Sequence, residues 1–389
     1  MEVDVYQECN SKKRKNEDQL VKDKYLPQVG IVYDEKLFQI SSKVPQLNHR
    51  ADMVHELIKA YDLLRNMTIY EYKPATDTDI NSFHSFDFIE YLKMINNLYT
   101  EEDDIDLEYG FGYDCPPLDG IYDYVCAIVG STLSAARALI RKEVDIAINW
   151  CGGWHHAQRD LVEGFCYVND IVIAILELRT AFDKVLYVDL DIHHCNGVQD
   201  SFAYTKKVLT LSFHKFEPGF YPCTGDVTDI GFGRGQYYTV NVPLSDGITD
   251  VQYCSLFDRI IKMVKKGFPP DAIVVQCGAD GLAGDPLGGF NLTPKAYGHC
   301  VKTLMDFKKP TLILGGGGYN LPNTAKCWTY ITSVIIGCEL HNDIPEHEYF
   351  TNYGPSYELA VSPNNRKDNN EPSDIQRIVD CVKGNIKIF

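Results

Sequence analysis

Residues 184–194, Lys-Val-Leu-Tyr-Val-Asp-Leu-Asp-Ile-His-His, decide how this chain reads. The run begins apolar and β-branched, as strands buried on both faces do, and ends in two aspartates and two histidines. Runs of the same character recur at QVGIVYD (28–34), DIAINW (145–150), KVLTLSF (207–213), YYTVNV (237–242), AIVVQC (272–277) and TLILGGGG (311–318). Between them lie LSAARALIRKE (133–143), FCYVNDIVIAILELRTAF (165–182), VQYCSLFDRIIKMVKKG (251–267) and NTAKCWTYITSVIIG (323–337), whose apolar residues return at helical spacing. Strands alternating with helices predict an α/β fold with an open, mostly parallel, doubly wound sheet flanked by helices. No second core and no repeat interrupts the pattern, so residues 26–389 read as one domain and the acidic stretch Thr100–Glu108 as an exposed loop.

Composition narrows the function. The chain has 37 Lys and Arg against 54 Asp and Glu, a net charge of -17, which repels a phosphate backbone and favours basic partners. Direct sequence-specific nucleic-acid binding is therefore not expected. Residues 1–25 are polar and read as a mobile tail, within which Ser11-Lys12-Lys13-Arg14-Lys15 has the pattern of a nuclear import address. Neither a secretory signal nor an apolar stretch of membrane-spanning length is evident, so the chain is expected to stay inside the cell and off membranes. Its 13 cysteines are odd in number and lack framework spacing, as reduced thiols do.

In open parallel sheets, ligands bind beyond the carboxyl ends of the strands. Four strand ends here carry chemistry: Cys151-Gly152-Gly153-Trp154-His155-His156, Asp189 to His194, Gly278-Ala279-Asp280, and Gly315 to Gly318 followed by Tyr319. Asp191 and His193 are two apart, so on extended backbone both leave the same face and can meet one ion, with Asp280 as a third ligand. One nitrogen and two carboxylates suit a catalytic zinc or a similar divalent ion. Alternatively Asp189, Asp191 and His193 satisfy backbone groups at a buried turn. His155 and His156 are candidates for acid and base, and Tyr319 for a donor to an oxyanion. The glycine run lacks the Lys-Ser/Thr of a phosphate loop.

The runs NWCGGWHHA, GFCYVNDIVIAI, YVDLDIHH, PGFYPCTGD, QCGAD and LILGGGGYN resemble the zinc-dependent histone deacetylases, from about residue 28 to the C-terminus. IPEHEYF, YGPSYEL and GGGGYNLPNTAKCWTYIT are most similar to class I and, within it, to the histone deacetylase 8 branch. The resemblance implies the eight-stranded arginase/deacetylase-like fold, hydrolysis of acetyl-lysine in histone tails and other proteins, and a part in chromatin regulation and transcriptional repression. It implies the nucleus as location, with the cytoplasm as a second compartment. Asp191, His193 and Asp280 would hold Zn2+, with Fe2+ or Co2+ as substitutes. His156 would be the main base and acid, His155 its electrostatic companion, and Tyr319 the donor to the carbonyl. Asp189 would orient His155 and share a structural K+ with Ser212. A second K+ would involve Phe202, Thr205, Val208 and Tyr238. Asp114 would hold backbone amides of the peptide, while Gly164, Phe165, Tyr221 and Leu287 would line the lysine tunnel.

Some positions depart from the family pattern. Where class I members usually have Gly-Asp-Gly, this chain has Cys195-Asn196-Gly197, so Asn196 stands where a carboxylate would pair with His156. If the replaced glycine used a positive φ, Cys195 would cost roughly 1 to 2 kcal/mol. Gly281, Leu287 and Cys223 also differ from the branch, and Cys115 and Cys166 match positions that can approach one another as a redox pair. The rival readings are a feeble acyl-lysine binding subunit of a repressor complex, or a deacylase for longer acyl groups or small acetylated amines. The intact catalytic set argues against a pure binding subunit.

Overall fold

The computed structural model describes residues 27–96, 108–112 and 114–386. The tail with its basic cluster, and all of the acidic stretch except Glu108, lie outside the described residues. Eight strands form one sheet: β1 Val29–Val32, β2 Thr68–Tyr70, β3 Ile146–Asn149, β4 Val185–Asp189, β5 Val208–Lys215, β6 Thr239–Leu244, β7 Ala272–Gln276 and β8 Thr311–Leu314. Their order is β2-β1-β3-β8-β7-β4-β5-β6, and every neighbouring pair is parallel. Strand β2 escapes the sequence pattern because it is three residues of edge, largely exposed, with no apolar run to mark it.

Alternation along each strand feeds two cores. Leu186, Val188, Ile273, Val275 and Ile313 join one cluster, while Val185, Tyr187, Val274, Leu312 and Leu314 join the other. A pleated strand points successive side chains to opposite faces, so a sheet covered by helices on both sides has to be apolar at every position. Helices Arg50–Ala60, Asp250–Gly267, Pro294–Met305 and Leu321–Ile336 cover the first face; Phe86–Ile95, Ile121–Ile140 and Asp170–Leu178 cover the second.

Two expectations need correcting. Helix Ile121–Ile140 is long and apolar enough by length and composition to cross a membrane, contrary to the reading that no stretch is. Most of it is buried inside the domain, because it is the central helix of the second core. The run 165–182 is helical only over Asp170–Leu178. Its first residues form a loop in which Phe165 takes a φ of 65°, and Asn169 starts the helix by accepting Val172 N at 3.0 Å.

The strand order sets the site. The four strands that end in chemistry, β3, β8, β7 and β4, are neighbours in the middle of the sheet, although they come from distant parts of the chain. Their carboxyl ends therefore converge.

Candidate active site

Beyond β4 and β7, one ligand atom each from Asp191, His193 and Asp280 lies within 4.8 Å of the others, and all three residues are buried. His193 Nδ1 is 3.1 Å from Asp191 Oδ1 and 3.0 Å from Asp280 Oδ2. The same carboxylates satisfy the turn: Asp191 Oδ1 accepts His193 N, and Asp280 Oδ1 accepts Ile192 N, each at 3.0 Å. The turn reading and a metal-capable grouping are thus compatible in one stretch. The donor set fits a metal ion, since burial and the neighbouring Asp191 push the Asp280 carboxyl upward, a conflict between like charges that a bound cation relieves. Asp191 Oδ2 is further held by Gln276 Nε2 at 2.8 Å and Gly317 N at 2.9 Å. A Cβ at Gly317 would lie 2.1 Å from Asp280 Oδ2, which is why the strand end passes this carboxylate as glycine.

The two histidines follow β3. His155 Nδ1 donates to Asp189 Oδ2 at 2.8 Å, and the Tyr187 hydroxyl donates to the same oxygen. His156 Nδ1 donates to Asn196 Oδ1 at 2.7 Å, and the two Nε2 atoms lie 3.0 Å apart. Burial opposes charge on both rings, yet the outcomes differ. At His155 the carboxylates of Asp189 and Asp191 outweigh burial and raise the pKa; at His156 burial, reinforced by His155 and His193, lowers it far below the usual imidazole range. One ring is held toward its protonated form and the other toward its neutral form.

Tyr319 faces the small cavity that His155, His156, Gly164 and Gly316 also bound. Burial, with Asp280 and Asp191 nearby, pushes its phenol well above the ordinary value, so it stays a donor. Asp285 anchors it by accepting Tyr319 N at 2.7 Å and Asn320 N at 3.1 Å. Phe165 meets Tyr319 edge-on at 5.6 Å, Tyr221 meets His156 edge-on at 4.9 Å, and Phe220 stacks flat on His193 at 5.1 Å. Gly164, at φ 57°, presses on the His156 ring, where a Cβ would come within 2.5 Å of Cδ2. Asp114 Oδ2 accepts Gly164 N at 2.8 Å, and Leu287 stands exposed. A groove of about 950 Å3 beside His299, Tyr330 and Leu340 contains none of these residues.

Of the residues linked to potassium, Asp189 and Ser212 are register partners on β4 and β5. Phe202 O accepts Thr205 N at 3.1 Å, Val208 opens β5, and Tyr238 O accepts Thr210 N at 3.0 Å. Cys195 has φ -78° and is buried, so the strain considered for it does not arise. Cys115 and Cys166 are both free thiols; burial, with Asp114 beside it, raises Cys115 to about 12, and burial raises Cys166 as well. Such thiols are poor nucleophiles. The cysteines among the described residues are all free, as expected of reduced thiols.

Several contributors were not singled out in the sequence. Gln276 sits inside an apolar strand, where an uncharged polar residue was the available signal. Asp170 accepts Thr132 Oγ1 at 2.6 Å and Trp154 N at 2.9 Å, and so ties the histidine loop to a helix start. Glu163, next to Gly164, gave no local sign of its contacts.

Two hydrogen-bonded histidines and a tyrosine hydroxyl around a buried metal-capable group, at the carboxyl ends of a parallel sheet, fit a hydrolytic centre of the metal-assisted class. Residues 44–335 match the histone deacetylase domain. The chain is 51% identical to histone deacetylase 8 of Xenopus tropicalis over 355 residues, 91% of this chain and 95% of that protein. Histone deacetylase 8 of Danio rerio is 47% identical, covering 92% and 95%, and histone deacetylase 19 of Arabidopsis thaliana is 44% identical, covering 91% and 70%. The chain belongs to the histone deacetylase family, on its class I side, and is a protein lysine deacetylase with a metal-capable centre.

Proposed function

We propose that the chain is a zinc-dependent deacetylase of N6-acetyl-lysine in histone tails and other proteins, with residues 26–389 as its catalytic unit. The buried Asp191, His193 and Asp280 group carries this reading: one nitrogen and two carboxylates leave open positions. Asp191, His193 and Asp280 would hold the zinc, which would supply Lewis acidity toward an acyl carbonyl and lower the pKa of water. Fe2+ and Co2+ suit the same donors.

His156 accepts the proton of the attacking water and returns it to the departing lysine amine. His155, kept charged by Asp189, offsets the negative charge that develops beside it. Tyr319 donates to the oxyanion. Phe165, Tyr221 and Gly164 enclose the neutral acyl-lysine stem, and the charged lysine product leaves because it must desolvate to remain. Asp114, bonded to Gly164 N, has a second carboxylate oxygen for a peptide N–H, and Leu287 flanks the mouth. Structural K+ is assigned to Asp189 with Ser212, and to Phe202, Thr205 and Val208 with Tyr238.

The net charge of -17 favours basic tails, and Ser11 to Lys15 supplies an import address to the nucleus, with the cytoplasm as a second compartment. The test is turnover of an acetyl-lysine peptide by recombinant enzyme before and after chelation. Loss on stripping and recovery with Zn2+ are expected; full activity in metal-free protein would refute the assignment.

A further inference from the structure

Asn196 presents different atoms to two neighbours. Its Oδ1 accepts His156 Nδ1 at 2.7 Å, and its Nδ2 donates to Glu163 Oε1 at 3.2 Å. The same Glu163 oxygen accepts the Tyr221 hydroxyl at 2.8 Å. An amide left to itself does not choose its orientation, because a flip exchanges donor and acceptor at nearly the same positions. A carboxylate chooses for it, since a carboxylate only accepts. With Glu163 on one side, the amide nitrogen belongs there and Oδ1 is left facing His156. An acceptor at Nδ1 places the ring proton on that nitrogen, so the lone pair stays on Nε2, the nitrogen that lies 3.0 Å from His155 Nε2.

We propose that Glu163 is a positioning residue which, through Asn196, fixes His156 in the tautomer a general base requires, and that Tyr221 holds Glu163 for this task. The proposal rests on the reading of His156 as the base. With Asp at position 196 no orientation problem exists, because both side-chain oxygens accept. Asn196 creates the problem, and Glu163 solves it from one hydrogen bond farther out. Its own placement is rigid: Glu163 N donates to Cys166 O at 3.1 Å and Cys166 N returns to Glu163 O at 2.9 Å, closing the short loop that carries Gly164 against the His156 ring.

The test uses zinc-loaded enzyme with 15N-labelled histidine, the His156 signals being assigned by their loss in His156→Ala. The native enzyme should show a protonated Nδ1 and an unprotonated Nε2. Glu163→Gln, whose amide can donate or accept, should mix the two tautomers and lower kcat about tenfold, with KM moving less than about twofold. Asn196→Asp alone sets one carboxylate against another across the 3.2 Å now spanned by the amide, and should lose more. Adding Glu163→Gln to it restores a donor opposite the new carboxylate, so the double variant should regain about tenfold over Asn196→Asp. An unchanged His156 tautomer in Glu163→Gln, or a double variant no better than Asn196→Asp, overturns the proposal. A fully active His156→Ala would remove the base reading itself, and it is distinguishable because the tautomer is read without turnover.

Discussion

His155 and His156 are adjacent in the chain and face one cavity, but the regions that hold them differ. The inner side is built from strand ends: Asp189 closes β4, Gln276 closes β7, and the carboxylates of Asp189, Asp191 and Asp280 are all buried. The outer side is built from the first residue of helix Asn196–Phe202 and from loops, a hydrogen-bonded relay of Asn196, Glu163 and Tyr221 in which Glu163 is the one carboxylate. Burial alone drives an imidazole toward neutrality; what decides its charge is how near a carboxylate sits. The inner side thereby concentrates charge for a cation and a protonated ring, while the outer side orients a neutral ring without charging it.

Breaking the inner side should have the largest effect. Asp280→Ala or His193→Ala should abolish bound metal and turnover together, measured by elemental analysis and peptide assay; metal retained with activity intact would place the ion elsewhere. Tyr319→Phe, at the junction of the two sides, should keep the metal and lose roughly 10² in kcat. A change confined to KM would mean that the hydroxyl only binds substrate.

Asp189→Asn makes the inner ring resemble the outer one. It should cost about tenfold in kcat and lower the pKa of His155, read from its 15N shifts, because the carboxylate that outweighs burial is gone. Asp114→Ala probes the outer rim: KM for a peptide should rise about tenfold with metal content unchanged, whereas joint loss of metal and fold would make Asp114 structural.

The smallest effect on chemistry concerns what supports the histidine loop. His84 Nε2 accepts Asn169 N at 3.0 Å, and Asn169 Nδ2 donates to Ala157 O at 2.9 Å. Burial lowers the pKa of His84 to about 4 from 6.5. The unfolded chain takes up this proton below pH 6.5 and the folded one does not, so its contribution is complete above 6.5 and is lost as pH falls toward about 4, by about 3 kcal/mol. Urea unfolding at stepped pH should show this slope, and His84→Gln should flatten it; an unchanged slope would assign the acid sensitivity to other groups.

From the sequence alone came the α/β class, seven of the eight strands, and the residue types that follow four of them, because strand runs and strand-end motifs are local and survive without knowledge of neighbours. The pairing of Asp191 with His193 was legible from their spacing of two, although both lie in a turn beyond β4 and not on extended backbone. What only the tertiary structure decided is that β3, β8, β7 and β4 lie side by side, since strand order follows from how helices cover both faces and not from chain order. It also decided partners at long separation, such as Gln276 on Asp191 and Glu163 on Asn196. Those hydrogen bonds depend on positions a few ångströms apart in space and 85 and 33 residues apart in the chain, a distance across which no local pattern carries information.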